Sequence, residues 1–168
     1  MLIGITGKSG VGKTTITEKF RNRGFSTFNL DYFAAQVARQ HGIKEHKDIL
    51  QTLFVELRPY YINDLNNIMD TYLELNPNKL IVVEWILLPY LNLWDKCDVK
   101  CMIMVDDHAA RMTRLQNRDK KYPSYLNIRD KSADKCYESM GNVFVFQNNY
   151  QESRAEEIVS DIMRLVKE

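Results

Sequence analysis

"GKSGVGKTT" occupies residues 7–15 of this 168-residue chain, between the apolar run "MLIGIT" (1–6) and "TITEKFRNRGF" (15–25), which has helical spacing. Residues 7–14 match G-x-x-x-x-G-K-[ST], with Gly7, Gly12, Lys13 and Thr14 at the fixed positions. The chemistry explains that spacing. A loop that turns its backbone N–H groups inward needs glycines, and the inward N–H groups bind phosphate oxygens. The helix that follows adds the positive end of its dipole. The lysine reaches β- and γ-phosphate oxygens, and the threonine hydroxyl ligates Mg²⁺. The whole turn is therefore an expected phosphate cradle: Gly7, Lys8, Ser9, Gly10, Val11, Gly12, Lys13, Thr14 and Thr15. The implied ligands are the phosphates of a nucleotide and Mg²⁺.

Working outward, strands and helices alternate. Residues 2–6 read as a buried strand and 13–23 as a helix ending near Gly24. "FSTFNL" (25–30) reads as a short strand, and "DYFAAQVARQH" (31–41) as a helix with Asp31 as a possible N-cap. Apolar residues at helical spacing fill 45–76, with Pro59 marking a break between two helices. "KLIVVEW" (79–85) and "VKCMIMV" (99–105) are continuous apolar runs, as strands covered on both faces require. A helix is expected over 106–119, a fifth strand over 142–147 and an amphipathic helix over 152–167. This alternation predicts a three-layer α/β P-loop NTPase fold with a five-stranded parallel sheet in the order 2-3-1-4-5. Residues 1–168 are expected to form a single domain. Its helical region 40–78 is expected to bind the phosphate acceptor. The polar stretch 119–135, "DKKYPSYLNIRDKSADK", is expected to serve as a lid, although its composition also suits an ordinary surface helix and turn.

Composition narrows the function. Hydrophobic residues make up 45% of the chain and charged residues 27%, which suffices for a core without disulfides or metal. A formal net charge of +1 gives no broad electrostatic case for binding nucleic acid or a membrane surface. The odd cysteine count, Cys97, Cys101 and Cys136, argues against a disulfide framework. No leader is visible, and the longest apolar run, 80–91, contains Glu84 and is too short to span a bilayer. A cytoplasmic protein is expected, as a monomer or weak homo-oligomer acting on a small molecule. Among P-loop classes, the N-K-x-D motif of GTPases and the LSGGQ signature of ABC ATPases are missing, which leaves a small kinase.

Five blocks, "IGITGKSGVGKTT", "NLDYFAAQVAR", "VVEWILLPYL", "MIMVDDHAARMTRLQNRD" and "FVFQNNYQ", resemble the dephospho-CoA kinase family in order and separation. The resemblance covers about residues 1–39, 80–119 and 143–168. It implies ATP-dependent phosphorylation of the ribose 3′-hydroxyl of dephospho-CoA. A kinase of a nucleoside monophosphate or other small metabolite, and a non-catalytic nucleotide-binding module, remain the alternatives. The family's Asp-x-Asp after the second strand is here Asn29-Leu30-Asp31, Ala35 stands at an expected arginine, and Tyr90 replaces a commonly acidic position. Arg39, one helical turn beyond Ala35, is the candidate to replace that arginine at the acceptor.

Roles follow for the remaining residues. Asp31, at the carboxyl end of a strand beside the phosphate loop, would orient or deprotonate the acceptor hydroxyl. Glu84 resembles a Walker-B acid acting on Mg²⁺ through water, at the rim of the acceptor site. Arg111, Arg114 and Arg118 fall on one helical face. Arg114 and Arg118 are the candidate phosphate clamps, although such a stripe also suits a solvated face. Arg129 and Lys131 would close from the lid. Asn148 matches an asparagine placed near the nucleotide base in the family.

Overall fold

The computed structural model describes residues 1–42, 58–118 and 125–166. β1 (Leu2–Thr6) runs into the phosphate loop and α1 (Lys13–Asn22). β2 (Ser26–Asn29) leads directly into α2 (Leu30–Gln40), and α3 (Arg58–Leu75) precedes β3 (Ile81–Glu84). A 3₁₀ turn (Leu88–Tyr90) and α4 (Asn92–Asp95) connect to β4 (Val99–Met104). α5 (His108–Arg118), α6 (Tyr125–Tyr137), β5 (Phe144–Gln147) and α7 (Glu152–Leu165) complete the order.

The strands form one parallel sheet, ordered β2-β3-β1-β4-β5, as the sequence predicts. β1 lies at the centre with every residue buried. Its alternation feeds two cores. Ile3 and Ile5 pack with Ile16, Phe20, Ile158 and Ile162, so α1 and α7 cover one face. Leu2 packs with Leu30, Val37, Leu65, Met69 and Trp94 on the other, beneath α2, α3 and the 85–97 segment. Gly4 faces that second core so closely that an added Cβ would stand 2.7 Å from the Cys97 sulfur. All three cysteines are buried thiols outside any disulfide. Among the described residues, no helix is long and apolar enough to cross a membrane.

One local expectation changes. Asn29, not Asp31, caps α2: its Oδ1 accepts the Asp31 N–H at 2.8 Å. Pro59 sits in the first turn of α3, where its missing N–H costs no helical bond; the helix expected before it, from residue 45, lies outside the described residues. Within the expected lid, 125–135 belong to α6, and 119–124 lie outside the described residues.

Candidate active site

The phosphate loop has the backbone that its glycines allow. Gly7 has φ 143° and Gly12, the N-cap of α1, φ 96°. A Cβ on Gly7 would meet the Ile103 carbonyl oxygen at 2.3 Å, and one on Gly12 the Asn148 Nδ2 at 2.4 Å. Both positions therefore exclude side chains by conformation and by space. Asn148 is buried, donates from Nδ2 to the Val11 carbonyl at 2.8 Å, and accepts the Tyr150 N–H on Oδ1. The structure thus places Asn148 as a brace under the loop.

Lys13 folds back over the loop, donating to the Gly7 and Lys8 carbonyls at 2.8 and 3.1 Å. Burial lowers its pKa to about 8; Glu84 and Asp31 oppose that shift, and Arg129 and Arg118 add to it. Lys13 therefore shares one electrostatic field with two carboxylates and two guanidiniums, four sequence-distant groups that the fold brings to the carboxyl end of the sheet.

Glu84 ends β3 and is 2% exposed. Burial raises its pKa, while Lys13 and the Thr14 and Thr17 hydroxyls pull it down. Its Oε1 accepts a hydrogen bond from Asn29 Nδ2 at 2.9 Å, and among the described residues its buried Oε2 has no hydrogen-bond partner. Asn29 therefore joins the two acids, capping the Asp31 N–H with one end of its amide and holding Glu84 with the other. An aspartate at position 29 would set a third carboxylate against a buried one, so the amide suits this chain. Sequence reading takes Asn29 only as a departure from a motif; its link to Glu84 spans 55 residues and leaves no local pattern.

Asp31 is relieved of capping, and its side chain is exposed. Its Oδ1 accepts from Trp85 Nε1 at 3.0 Å and lies 3.9 Å from the Arg129 guanidinium, delivered by α6. Arg129 was expected on a lid; here it is buried beside the acid. Lys131 is exposed.

The arginine stripe divides. Arg111 is buried and forms an ion pair with Asp130 of α6, while also donating to the Ser9 carbonyl at 3.2 Å. It ties α5, α6 and the loop together. Arg114 is exposed, reaches Thr15 Oγ1 at 3.5 Å and stacks over the Tyr150 ring at 4.7 Å. Arg118 is exposed at the end of α5. Tyr150 escaped sequence reading. Among the described residues it is the non-glycine one with positive φ (66°), and its half-buried ring borders a cleft lined by Asp106, Asp107, Ala110 and Arg154. Arg39 is exposed near the C-terminal end of α2, about 12 Å along the axis from Asp31.

A family model described as "AAA domain" matches residues 3–138. A uridine kinase from Latilactobacillus sakei subsp. sakei (strain 23K) is 30% identical over 141 residues, covering 71% of this chain. The chain spans 66% of that relative's length, just under two thirds. A shikimate kinase from Bacteroides thetaiotaomicron superposes with a TM-score of 0.69 at 15% identity, over 100% of this chain and 99% of that one. A dephospho-CoA kinase from Campylobacter jejuni superposes with a TM-score of 0.63 at 15% identity, over 98% and 96%. At these identities the structural likeness is one of fold, and the fold is that of P-loop kinases.

Proposed function

The chain belongs to the AAA domain family, and from that premise we propose that it is an ATP-dependent kinase phosphorylating a ribose hydroxyl of a small molecule, with dephospho-CoA, at its 3′-hydroxyl, as the acceptor. The observation that carries the reading is the meeting of Lys13, Glu84 and Asp31 beside the phosphate loop. In this reading residues 1–168 act as one kinase domain, with 40–78 on the acceptor side and 119–135 as the lid.

The loop N–H groups and Lys13 hold the phosphates, for which Lys13 exchanges its Gly7 and Lys8 carbonyls. Thr14 and the unpartnered Glu84 Oε2 fit a Mg²⁺ ion, Thr14 directly and Glu84 through water. Bound there, Mg²⁺ neutralises charge on the phosphate oxygens. Arg114 and Arg118 neutralise the transferring group from the α5 side, and Arg114 with Tyr150 offers a stacking surface for the base. Asp31 accepts the proton of the acceptor hydroxyl as the O–P bond forms and the bond from the γ-phosphorus to the bridging oxygen breaks, releasing ADP.

The 30% identical uridine kinase favours uridine as a second acceptor. Ala35, partly buried against the α2–α3 core, offers no guanidinium to an acceptor phosphate, which suits a nucleoside. A panel of dephospho-CoA, uridine and nucleoside monophosphates with Mg²⁺·ATP, read by ADP release and product mass, tests the proposal. Turnover with dephospho-CoA is expected. Turnover with uridine alone moves the acceptor to the second reading. Tight ATP binding with no transfer to any acceptor overturns the kinase reading.

A further inference from the structure

We infer that Trp85 is a positioning residue for Asp31: its indole N–H fixes Oδ1 and thereby presents Oδ2 to the acceptor hydroxyl. The inference rests on Asp31 being the proton acceptor. Asp31 lies in the first turn of α2 with an exposed side chain, where an unheld carboxylate would sample several rotamers. Trp85 is the opposite, a rigid donor. It follows Glu84 at the end of β3 and is 2% exposed. Its N–H donates to the Ile5 carbonyl at 3.1 Å, and its own carbonyl accepts the Thr6 hydroxyl at 2.9 Å. Thr6 and Tyr137 both hold the next carbonyl, of Ile86, at 3.1 and 2.9 Å. The indole is thus anchored to the central strand through its backbone.

From that anchor Nε1 reaches Asp31 Oδ1 at 3.0 Å, and the Arg129 guanidinium approaches the same oxygen at 3.9 Å. A hydrogen-bond donor and a positive charge, from separate elements, converge on one oxygen. Among the described residues no hydrogen-bond partner holds the other oxygen, which is left to take a proton. A buried tryptophan needs some partner for its N–H; a partner that is an exposed carboxylate 54 residues away, rather than a nearby carbonyl, is what points beyond packing. Trp94 supplies the contrast within the same core: its Nε1 donates to the Met140 carbonyl at 3.1 Å.

The two indoles make the test. In ¹⁵N-indole spectra, Asp31→Ala should shift the Trp85 Nε1–H resonance and speed its solvent exchange, leaving Trp94 in place. Trp85→Phe keeps the aromatic volume and removes the donor. Its kcat should fall roughly ten- to a hundredfold, as misplacement of a reacting group predicts, with the KM for ATP unchanged. An unmoved Trp85 resonance in Asp31→Ala, or wild-type kcat in Trp85→Phe when Asp31→Asn is inactive, overturns the positioning role. Should Trp85→Phe fail to fold, the spectra of Asp31→Ala still decide, since that variant keeps both tryptophans. Wild-type kcat in Asp31→Asn is a separate result: it overturns Asp31 as proton acceptor, and the positioning role with it.

Discussion

Lys13 holds its proton weakly, because the loop that aims it at phosphate also strips it of water. With a pKa of about 8, lowered from 10.5, the ammonium form falls from about nine-tenths at pH 7 to about one-tenth at pH 9. Bound phosphates favour the ammonium, so the complex holds more protons than the empty protein above pH 8, and rising pH opposes binding. Nucleotide affinity should therefore fall about tenfold between pH 7 and pH 9, with proton uptake on binding visible as a buffer-dependent heat in titration calorimetry. Lys13→Met should bind weakly with a shallower pH profile. A flat profile in the unmodified protein would contradict the burial of the ammonium. At this scale the sequence was readable wherever a residue's role is set by its neighbours in the chain. The glycine spacing fixes the loop, so Gly12 and Lys13 could be named without coordinates. Asn29 and Asp31 could not be told apart as caps, since both residue types cap well and stand two apart. Only the contacts with Glu84 and Trp85, more than 50 residues away, assign the amide to the cap and relieve the acid of it.

Among the elements, α6 is the one whose role depends most on charge. One ion pair ties it to α5 and another to the phosphate loop, and the two differ greatly in burial. The Arg111–Asp130 side chains are 4% and 18% exposed, against 31% and 58% for Lys8–Asp134, which pair at 2.7 Å. Removing one partner of a buried pair leaves an uncompensated charge, at a cost of about 3–5 kcal/mol. Removing an exposed partner costs about 0–1 kcal/mol. Asp130→Ala should thus lower unfolding stability by about 3 kcal/mol, and Asp134→Ala by less than about 1 kcal/mol, in urea titrations of each variant. Equal effects would mean that the Arg111 guanidinium finds solvent once Asp130 is gone. The same charges explain why this element reads as a lid. "YLNIRDKSADKCY" puts Leu126, Arg129, Ala133 and Cys136 on buried positions, so a charged residue interrupts the inner face and breaks the apolar stripe that would mark the helix. The strands were readable for the converse reason. β1, β3 and β4 lie inside the sheet, between paired neighbours, and their runs are mostly apolar, with Lys100 inside β4 and Glu84 closing β3.

For the molecule as a whole, the order β2-β3-β1-β4-β5 gathers the carboxyl ends of the strands along one rim. The order itself could be read from right-handed crossovers and the need to bring Asp31 and Glu84 beside Gly12. How tightly the rim is joined could not. The loop after β1 touches Asn148 beyond β5, Arg111 on α5 and, through Lys8, Asp134 on α6. A nucleotide seated there would bind a junction of several elements and not a detachable flap, so its binding energy should stabilise the folded chain as a unit. A ligand at a hundred times its Kd adds about 2.7 kcal/mol when the unfolded chain does not bind it. A chain of this length gains about 2–4 °C per kcal/mol, so Tm should rise by about 5–10 °C under saturating Mg²⁺·ATP. Lys13→Ala should keep the melting point of the empty protein, because among the described residues the lysine hydrogen-bonds to loop carbonyls alone, yet lose most of the rise. Calorimetric melts of both proteins with and without nucleotide measure this. A wild-type rise confined to a minor early transition would place the nucleotide on a part that melts separately from the sheet, and an equal rise in Lys13→Ala would remove the lysine from the phosphate site.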